Sequence, residues 1–370
     1  MKTSAAKKNG VVEAIKAVAA RVIPGKMTAA VLYGSEDLRI ERIDVPAIGA
    51  DEVLLRVRLA LTDGTDLKVW KRGYHAKMIQ PPAVFGHEVV GEIVNVGKRA
   101  EARWRPGMRV IAANSAPCLR CYYCRRGQEN LCQDLLFNNG AYAEYMRIPA
   151  RIVMENMLEV PHSVDDASAA LVEPLACVLR GIHEMDLRTG DMAAVIGCGP
   201  IGLKFVRMLS RRGVRVIALA RRDAPLQVAK KLGAVATVNV ATVDDPVAKV
   251  KALTEEGRGP DAVVEAAGNP ATWKLALDMV RRGGVINCFS GLPTGTRMEI
   301  DPAAIHYSEI KLMSTFHHTP RFIREALEAI RRGDISAQDF VTEEIGLTDL
   351  PQAFARMKSR SGEIKLAVKP

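Results

Sequence analysis

No stretch of this 370-residue chain approaches the roughly 20 consecutive apolar residues that a membrane-spanning helix needs, so a spanning segment is not expected. Internal repeats and low-complexity tracts are missing too, which argues against a solenoid or a disordered array. A paired-cysteine framework is also lacking. The seven cysteines are an odd number, with Cys118, Cys121, Cys124 and Cys132 clustered and Cys177, Cys198 and Cys288 standing alone. That distribution suits a reducing compartment and a metal better than disulfides. Lys16 and Arg21 interrupt any apolar core of a leader, so a cleaved secretory signal is not expected and the chain reads as cytoplasmic.

What remains is an ordinary globular composition, 48% hydrophobic and 25% charged, at a length that favours two domains over one core. The net charge of +10 raises the question of nucleic acid. Its distribution answers it: residues 1–26 hold six Lys and Arg against Glu13, and Lys98–Arg126 hold eight against Glu101. The second segment surrounds the cysteine cluster, whose thiolates would offset part of the charge. A small-molecule partner is expected, with no nucleic acid and no membrane.

Residues 1–26 read as an extension, with a short helix over Val11–Ile23. From Met27, the segments Ala29–Tyr33 and Leu38–Glu41 predict a hairpin, Val53–Leu59 a strand, and Val89–Gly97 a strand broken by Gly91. Helix is predicted from Asp165 through Cys177. From Met192 onward, strand and helix alternate: strands at Met192–Ile196, Val214–Leu219, Asp261–Glu265 and Val285–Phe289, helices at Ile201–Leu209 and Ala271–Arg281. This predicts an α/β chain whose second part is a doubly wound parallel sheet. The end, with a helix over Pro320–Arg331 and strands near Glu343–Gly346 and Glu363–Val368, is expected to return to the first domain. The domains are therefore drawn at 1–26, 27–185, 186–314 and 315–370.

Three motifs carry chemistry. Cys118-x-x-Cys121-x-x-Cys124 followed by Cys132 places four thiolates on one loop, enough to fill a tetrahedral zinc shell and leave no position for substrate. Gly197-Cys198-Gly199-Pro200-Ile201-Gly202 follows a strand and opens a helix, so backbone amides at the helix N-terminus can approach a dinucleotide pyrophosphate. Where an acidic residue would hold the ribose of NAD, the chain reads Ala220-Arg221-Arg222, which predicts NADP over NAD because two guanidiniums can clamp a 2′-phosphate. The competing assignment leaves both arginines solvated and gives the acidic role to Asp223. Finally, Gly86-His87-Glu88 sets an imidazole beside a carboxylate downstream of Asp63-Gly64-Thr65-Asp66. Such a pair serves on a solvated surface as well as on a metal. Glu173, alone in an apolar helical run, calls for a cationic partner.

In this order, Gly86-His87-Glu88, the four-cysteine loop, Glu173-Pro174-Leu175 and Gly197–Gly202 resemble the zinc-dependent medium-chain dehydrogenase/reductase superfamily, nearest its sorbitol and threonine dehydrogenase branch, over residues 27–370. The resemblance implies a GroES-like β-rich catalytic domain, a Rossmann dinucleotide-binding domain, and a homodimer or homotetramer. It makes Asp63, His87, Glu88 and Glu173 the residues of a catalytic zinc and Thr65 the proton shuttle. It assigns Cys118, Cys121, Cys124 and Cys132 to a structural zinc, and Gly197, Gly199, Pro200, Ile201, Gly202, Ala220, Arg221, Arg222 and Gly268 to the cofactor. Two positions depart from the pattern. Asp63 stands where the superfamily normally has Cys, and Lys68 where many members end the proton relay with His. The implied reaction interconverts a secondary alcohol (polyol, sugar or sugar-derived) and its carbonyl. The competing readings are an NADPH-dependent reductase without catalytic zinc and a non-enzymatic NADP-binding protein. His317 and His318 could line the substrate cleft or contact cofactor or solvent; Cys177 and Cys198 read as packing residues.

Overall fold

The computed structural model describes residues 23–75, 77–359 and 364–370; the helix expected over Val11–Ile23 lies almost wholly outside them. The chain forms two compact units, one reaching Glu173 and resuming at Val341–Pro370, the other spanning Pro174–Phe340. The first break falls inside a helix, earlier than the expected 185/186, and the second falls after the helix Pro320–Arg331, later than the expected 314/315. The physical reason lies in packing. The Pro320–Arg331 helix buries Phe322, Ile323, Ala326, Ala329 and Ile330, and Phe322 meets the His183 ring within the second unit.

In the first unit β1 (Lys26–Gly34) and β2 (Asp37–Asp44) form the expected hairpin. Next come β3 (Val53–Leu61), the short β4 (Ala83–Val84), β5 (Glu88–Val96), β6 (Arg109–Ala112), β7 (Ser115–Ala116), β8 (Leu136–Phe137), β9 (Tyr145–Ile148) and β10 (Met157–Glu159). The strand β5 runs through Gly91 unbroken, because opposite it β3 absorbs the irregularity as a register shift between Val57 and Leu59. Aromatics are scarce, yet Trp70, Phe85, Tyr142 and Phe354 meet in one buried cluster, with Phe354 5.7 Å from Trp70 and 5.9 Å from Phe85. That cluster anchors the segment leading into His87.

The helix expected from Asp165 to Cys177 is two helices, Asp166–Ala170 and Val172–Met185. Pro174 has no amide to donate back to Ala170, so the ladder breaks at Leu171. The second unit then carries β11 (Met192–Ile196), β12 (Arg215–Ala220), β13 (Ala234–Asn239), β14 (Ala262–Glu265), β15 (Val285–Cys288) and β16 (Lys311–Met313). These strands pair in parallel in the order β13-β12-β11-β14-β15-β16, with the strand order reversing at β11. Ala194, Val195, Ile217, Val263 and Ile286 are fully buried, as an all-parallel sheet covered on both faces requires.

The chain closes with β17 (Val341–Gly346) and β18 (Lys365–Lys369), which return to the first unit and complete the sheet β10-β6-β5-β3-β18-β17, with β9 also paired to β3. Strand β3 thus lies between β5 and β18. Leu61 faces Glu88 on one side and Ala367 on the other, so residues distant in sequence converge where β3 ends. Among the described residues no helix is long and apolar enough to cross a membrane.

Candidate active site

Helix capping places the first two carboxylates. Asp63 caps the helix Gly64–Arg72: its Oδ1 accepts from the amides of Thr65 and Asp66, and Asp66 Oδ2 accepts in return from the Asp63 amide at 3.2 Å. The Asp-x-x-Asp spacing makes a reciprocal capping box. Thr65, in the same turn, is half-buried, and Lys68 is exposed.

His87 follows Gly86, whose φ of 91° is left-handed and whose added Cβ would meet the Tyr142 ring at 2.6 Å. Only glycine fits there. The His87 Nδ1 pairs with Asp66 Oδ1 at 2.9 Å, and the Tyr142 hydroxyl donates to Asp66 Oδ2 at 2.5 Å. A carboxylate on Nδ1 fixes the ring and directs Nε2 to any ligand, the arrangement that orients metal-binding histidines. Sequence reasoning noted Asp66 in the acidic stretch before the motif without giving it a role, and did not name Tyr142. The capping spacing offered a signal for Asp66; nothing local offered one for Tyr142.

Glu88 turns elsewhere. Lys365 Nζ donates to its Oε1 at 2.7 Å and its Oε2 at 2.5 Å, and to the Thr62 carbonyl at 2.7 Å. Glu88 is thus the counter-ion of the buried Lys365 ammonium, and a ligand atom of it also lies within 4.8 Å of those of His87 and Glu173. Glu173 sits in the first turn of the Val172–Met185 helix, where the helix N-terminus favours an anion.

The titration behaviour follows from this crowding. Burial pushes the Glu173 carboxyl up to about 7, with Asp63 adding to the rise and His87 opposing it. Burial by itself would lower His87, but Asp66, Asp63 and Glu173 outweigh it and hold the imidazole well above its usual range. Asp63 is held low despite burial, by His87 and Lys365 and by two backbone amides. Asp63, Asp66, Glu88 and Glu173 are all below 9% exposed, and among the described residues the basic groups acting on Asp63 and Glu173 are His87 and Lys365. Four acidic groups against two basic ones in a buried site leave a negative excess that a divalent cation would neutralise.

The cysteine loop brings the Sγ atoms of Cys118, Cys121, Cys124 and Cys132 within 4.8 Å of one another. Cys121 Sγ lies 3.5 Å from Cys124 and 3.9 Å from Cys132. Zinc–sulfur bonds of about 2.3 Å in a tetrahedron put sulfurs about 3.8 Å apart, so the spacing fits zinc. Backbone amides of Cys124 and Gln133 draw the Cys121 thiol down to about 6, toward the thiolate a metal needs.

In the second unit, the turn after β11 opens the helix Pro200–Arg211 with Gly199 as cap and Pro200 at its start. Gly197 has φ 99°, and a Cβ on Gly202 would meet the Gly197 carbonyl at 1.8 Å, so the turn closes only on glycine. Ile201 is half-buried in that helix, and Cys198 is buried with its thiol on the Leu219 carbonyl, a packing residue. Ala220 ends β12; Arg221 and Arg222 follow it, exposed. The Asp223 carboxylate accepts from the Asn239 amide at 2.8 Å, which ties it to the neighbouring strand end. Gly268, φ 75°, lies in the turn after β14. His317 has a left-handed φ of 68° and its carbonyl is held by Arg180; His318 is buried and packs 4.0 Å from the His317 ring.

Both units of the chain match known protein families. Residues 49–160 match the alcohol dehydrogenase GroES-like domain and residues 200–332 the zinc-binding dehydrogenase domain. The sorbitol dehydrogenase of Bacillus subtilis (strain 168) is 30% identical, covering 94% of this chain and 98% of its own. D-arabinitol dehydrogenase 1 of Uromyces fabae is 30% identical over 95% of this chain and 100% of its own. A putative zinc-binding dehydrogenase from Sinorhizobium meliloti 1021, solved bound to NADP, superposes with TM-score 0.86 at 28% identity, covering 94% of this chain and 100% of that one. The chain belongs to the zinc-dependent medium-chain dehydrogenase/reductase superfamily, with a GroES-like domain and a Rossmann domain. Within it, the protein is an oxidoreductase of the alcohol and polyol dehydrogenase type.

Proposed function

We propose that the protein interconverts a secondary alcohol of the polyol, sugar or sugar-derived class and its carbonyl, with NADP preferred to NAD. The observation that carries the metal-dependent form of this reading is the negative excess around His87. Asp63, His87 and Glu173 would hold a catalytic zinc ion, with Asp66 orienting His87 and Glu88 locked to Lys365. The ion would supply Lewis acidity toward the substrate oxygen, stabilising charge that develops there. Thr65, held at the helix start, would pass the substrate proton outward; with Lys68 in place of His, that relay would end in solvent. A nicotinamide cofactor bound at the glycine turn would supply the hydride chemistry. Vicinal hydroxyls of a polyol suit a carboxylate-rich site as hydrogen-bond donors, and the polyol names of the relatives support that class. A four-thiol metal loop in place of a paired-cysteine framework supports a cytoplasmic setting.

Zinc per chain, measured by elemental analysis, tests the reading. Asp63→Asn is the better variant, because it keeps a capping acceptor while removing the charge. About two zincs in the native protein and about one in the variant are expected; one in both favours the metal-free reductase, in which Asp63 only caps its helix.

Cofactor choice rests on Arg221 and Arg222, together with the engagement of Asp223 by Asn239. Replacing both arginines by alanine is expected to raise the KM for NADP by about 10- to 100-fold with little change for NAD. Equal effects on the two cofactors would remove the 2′-phosphate assignment.

A further inference from the structure

The turn after β14 contains a carboxylate that the reading so far leaves unused. Glu265 is fully buried at the end of that strand. Its Oε1 accepts three bonds, from the Ala267 amide at 2.8 Å, the Gly268 amide at 2.7 Å and the Thr272 hydroxyl at 2.8 Å. The other oxygen, Oε2, is buried without a hydrogen-bond partner among the described residues. A buried carboxylate satisfied on one side only is costly. Such an arrangement calls for a purpose beyond closing a turn that Asn269 already caps through Thr272.

Two further observations locate that purpose. Glu265 pairs in register with Ile196, the residue before the glycine turn. A Cβ on Gly197 would meet the Ala267 nitrogen at 2.9 Å and the Ala266 carbonyl oxygen at 3.1 Å, so the two turns abut. Because β12, with Arg221 and Arg222 after it, and β14 flank β11 on opposite sides, a dinucleotide with its adenosine ribose at the arginines and its pyrophosphate at Gly197–Gly202 lays its nicotinamide half toward β14. In a planar trans peptide the N–H and C=O point in opposite directions. Glu265 draws the Ala267 and Gly268 amides inward, so the Ala266 and Ala267 carbonyls turn away from it. Ala267 itself is exposed and Gly268 half-buried.

We infer that Glu265 is a positioning residue for the nicotinamide half of the cofactor: by gathering three donors on one oxygen it presents the Ala266 and Ala267 carbonyls as acceptors for hydroxyl or amide donors of that half. The inference rests on the dinucleotide reading of the glycine turn.

Titration of Glu265→Gln with NADPH, followed by nicotinamide fluorescence, and with adenosine 2′,5′-bisphosphate, followed by calorimetry, tests it. Glutamine keeps the shape and weakens the charge-assisted acceptor. The dissociation constant for NADPH is expected to rise about tenfold, and that for the bisphosphate, which lacks the nicotinamide half, to stay within twofold. Equal affinities of variant and wild type for NADPH would overturn the inference, as would equal weakening of both ligands, the result of a merely structural role. If wild type itself binds neither ligand, the dinucleotide reading has failed and the inference falls with it. Should the variant not fold, Thr272→Val decides: NADPH binding weakened by about threefold with the bisphosphate unchanged supports the assignment, and unchanged NADPH binding refutes it.

Discussion

Lys365→Met is expected to destabilise the β-rich unit by about 3–5 kcal/mol, because it removes the ammonium from a fully buried Glu88 carboxylate. Lys365 and Glu88 are both 0% exposed, and Nζ bonds both Glu88 oxygens and the Thr62 carbonyl. The pair also fastens β18, from the end of the chain, beside β3, so its loss loosens the return of the C-terminal segment. Thermal unfolding should fall by roughly 10 °C. The stranded carboxylate regains stability by taking up a proton in the folded state, so the deficit should shrink as pH falls toward 5. Adding Glu88→Leu should recover most of it, since replacing a buried pair by apolar groups is often neutral. Urea denaturation at pH 5 and 8 measures all three; a loss below 1 kcal/mol for Lys365→Met would show that Glu88 is neutralised by another group.

His87→Ala is expected to lower kcat/KM at least a thousandfold, roughly 4 kcal/mol of transition-state stabilisation, and to remove about one zinc per chain while the cysteine loop keeps its own. The imidazole is the shared element of the site: Asp66 holds it at 2.9 Å, and its charge favours the ionised form of both Asp63 and Glu173. Acid should reproduce part of the loss. Glu173, pushed up to about 7 from 4.5, and His87, held well above 6.5, bind protons more tightly folded than unfolded when no ion is present. Their contribution to metal-free stability is therefore present at low pH; that of Glu173 is lost as pH rises through about 7, and that of His87 as pH rises through its own raised folded value. Zinc competes with those protons, so its stabilising effect should grow from pH 5 to pH 8. A zinc-induced shift in unfolding that is flat with pH, or a His87→Ala enzyme with near-native turnover, would remove the proposed catalytic centre.

The sequence by itself determined the features whose cause is local. The cysteine loop is set by thiolate spacing along one segment, the glycine turn by a strand feeding a helix, and the alternation after Met192 by periodicity. Asp63 and Asp66 belong here too, since an Asp-x-x-Asp cap acts within a single turn. Local rules also explain a failure: reading one helix through Asp165–Cys177 undervalued the missing amide of Pro174. Lys365 stood in an apolar strand as conspicuously as Glu173 in an apolar helix, and the same cost argument would have asked for its partner. Only the tertiary structure could name that partner. The β3 register sets Glu88 and Lys365, 277 positions apart in the chain, on either side of one strand, and so supplies Glu88 with a buried counter-ion. The unit boundaries and the Tyr142 contact to Asp66 depend likewise on which faces pack together. Charge pairing in a dry site is decided by three-dimensional proximity, and neither composition nor spacing along the chain encodes that distance.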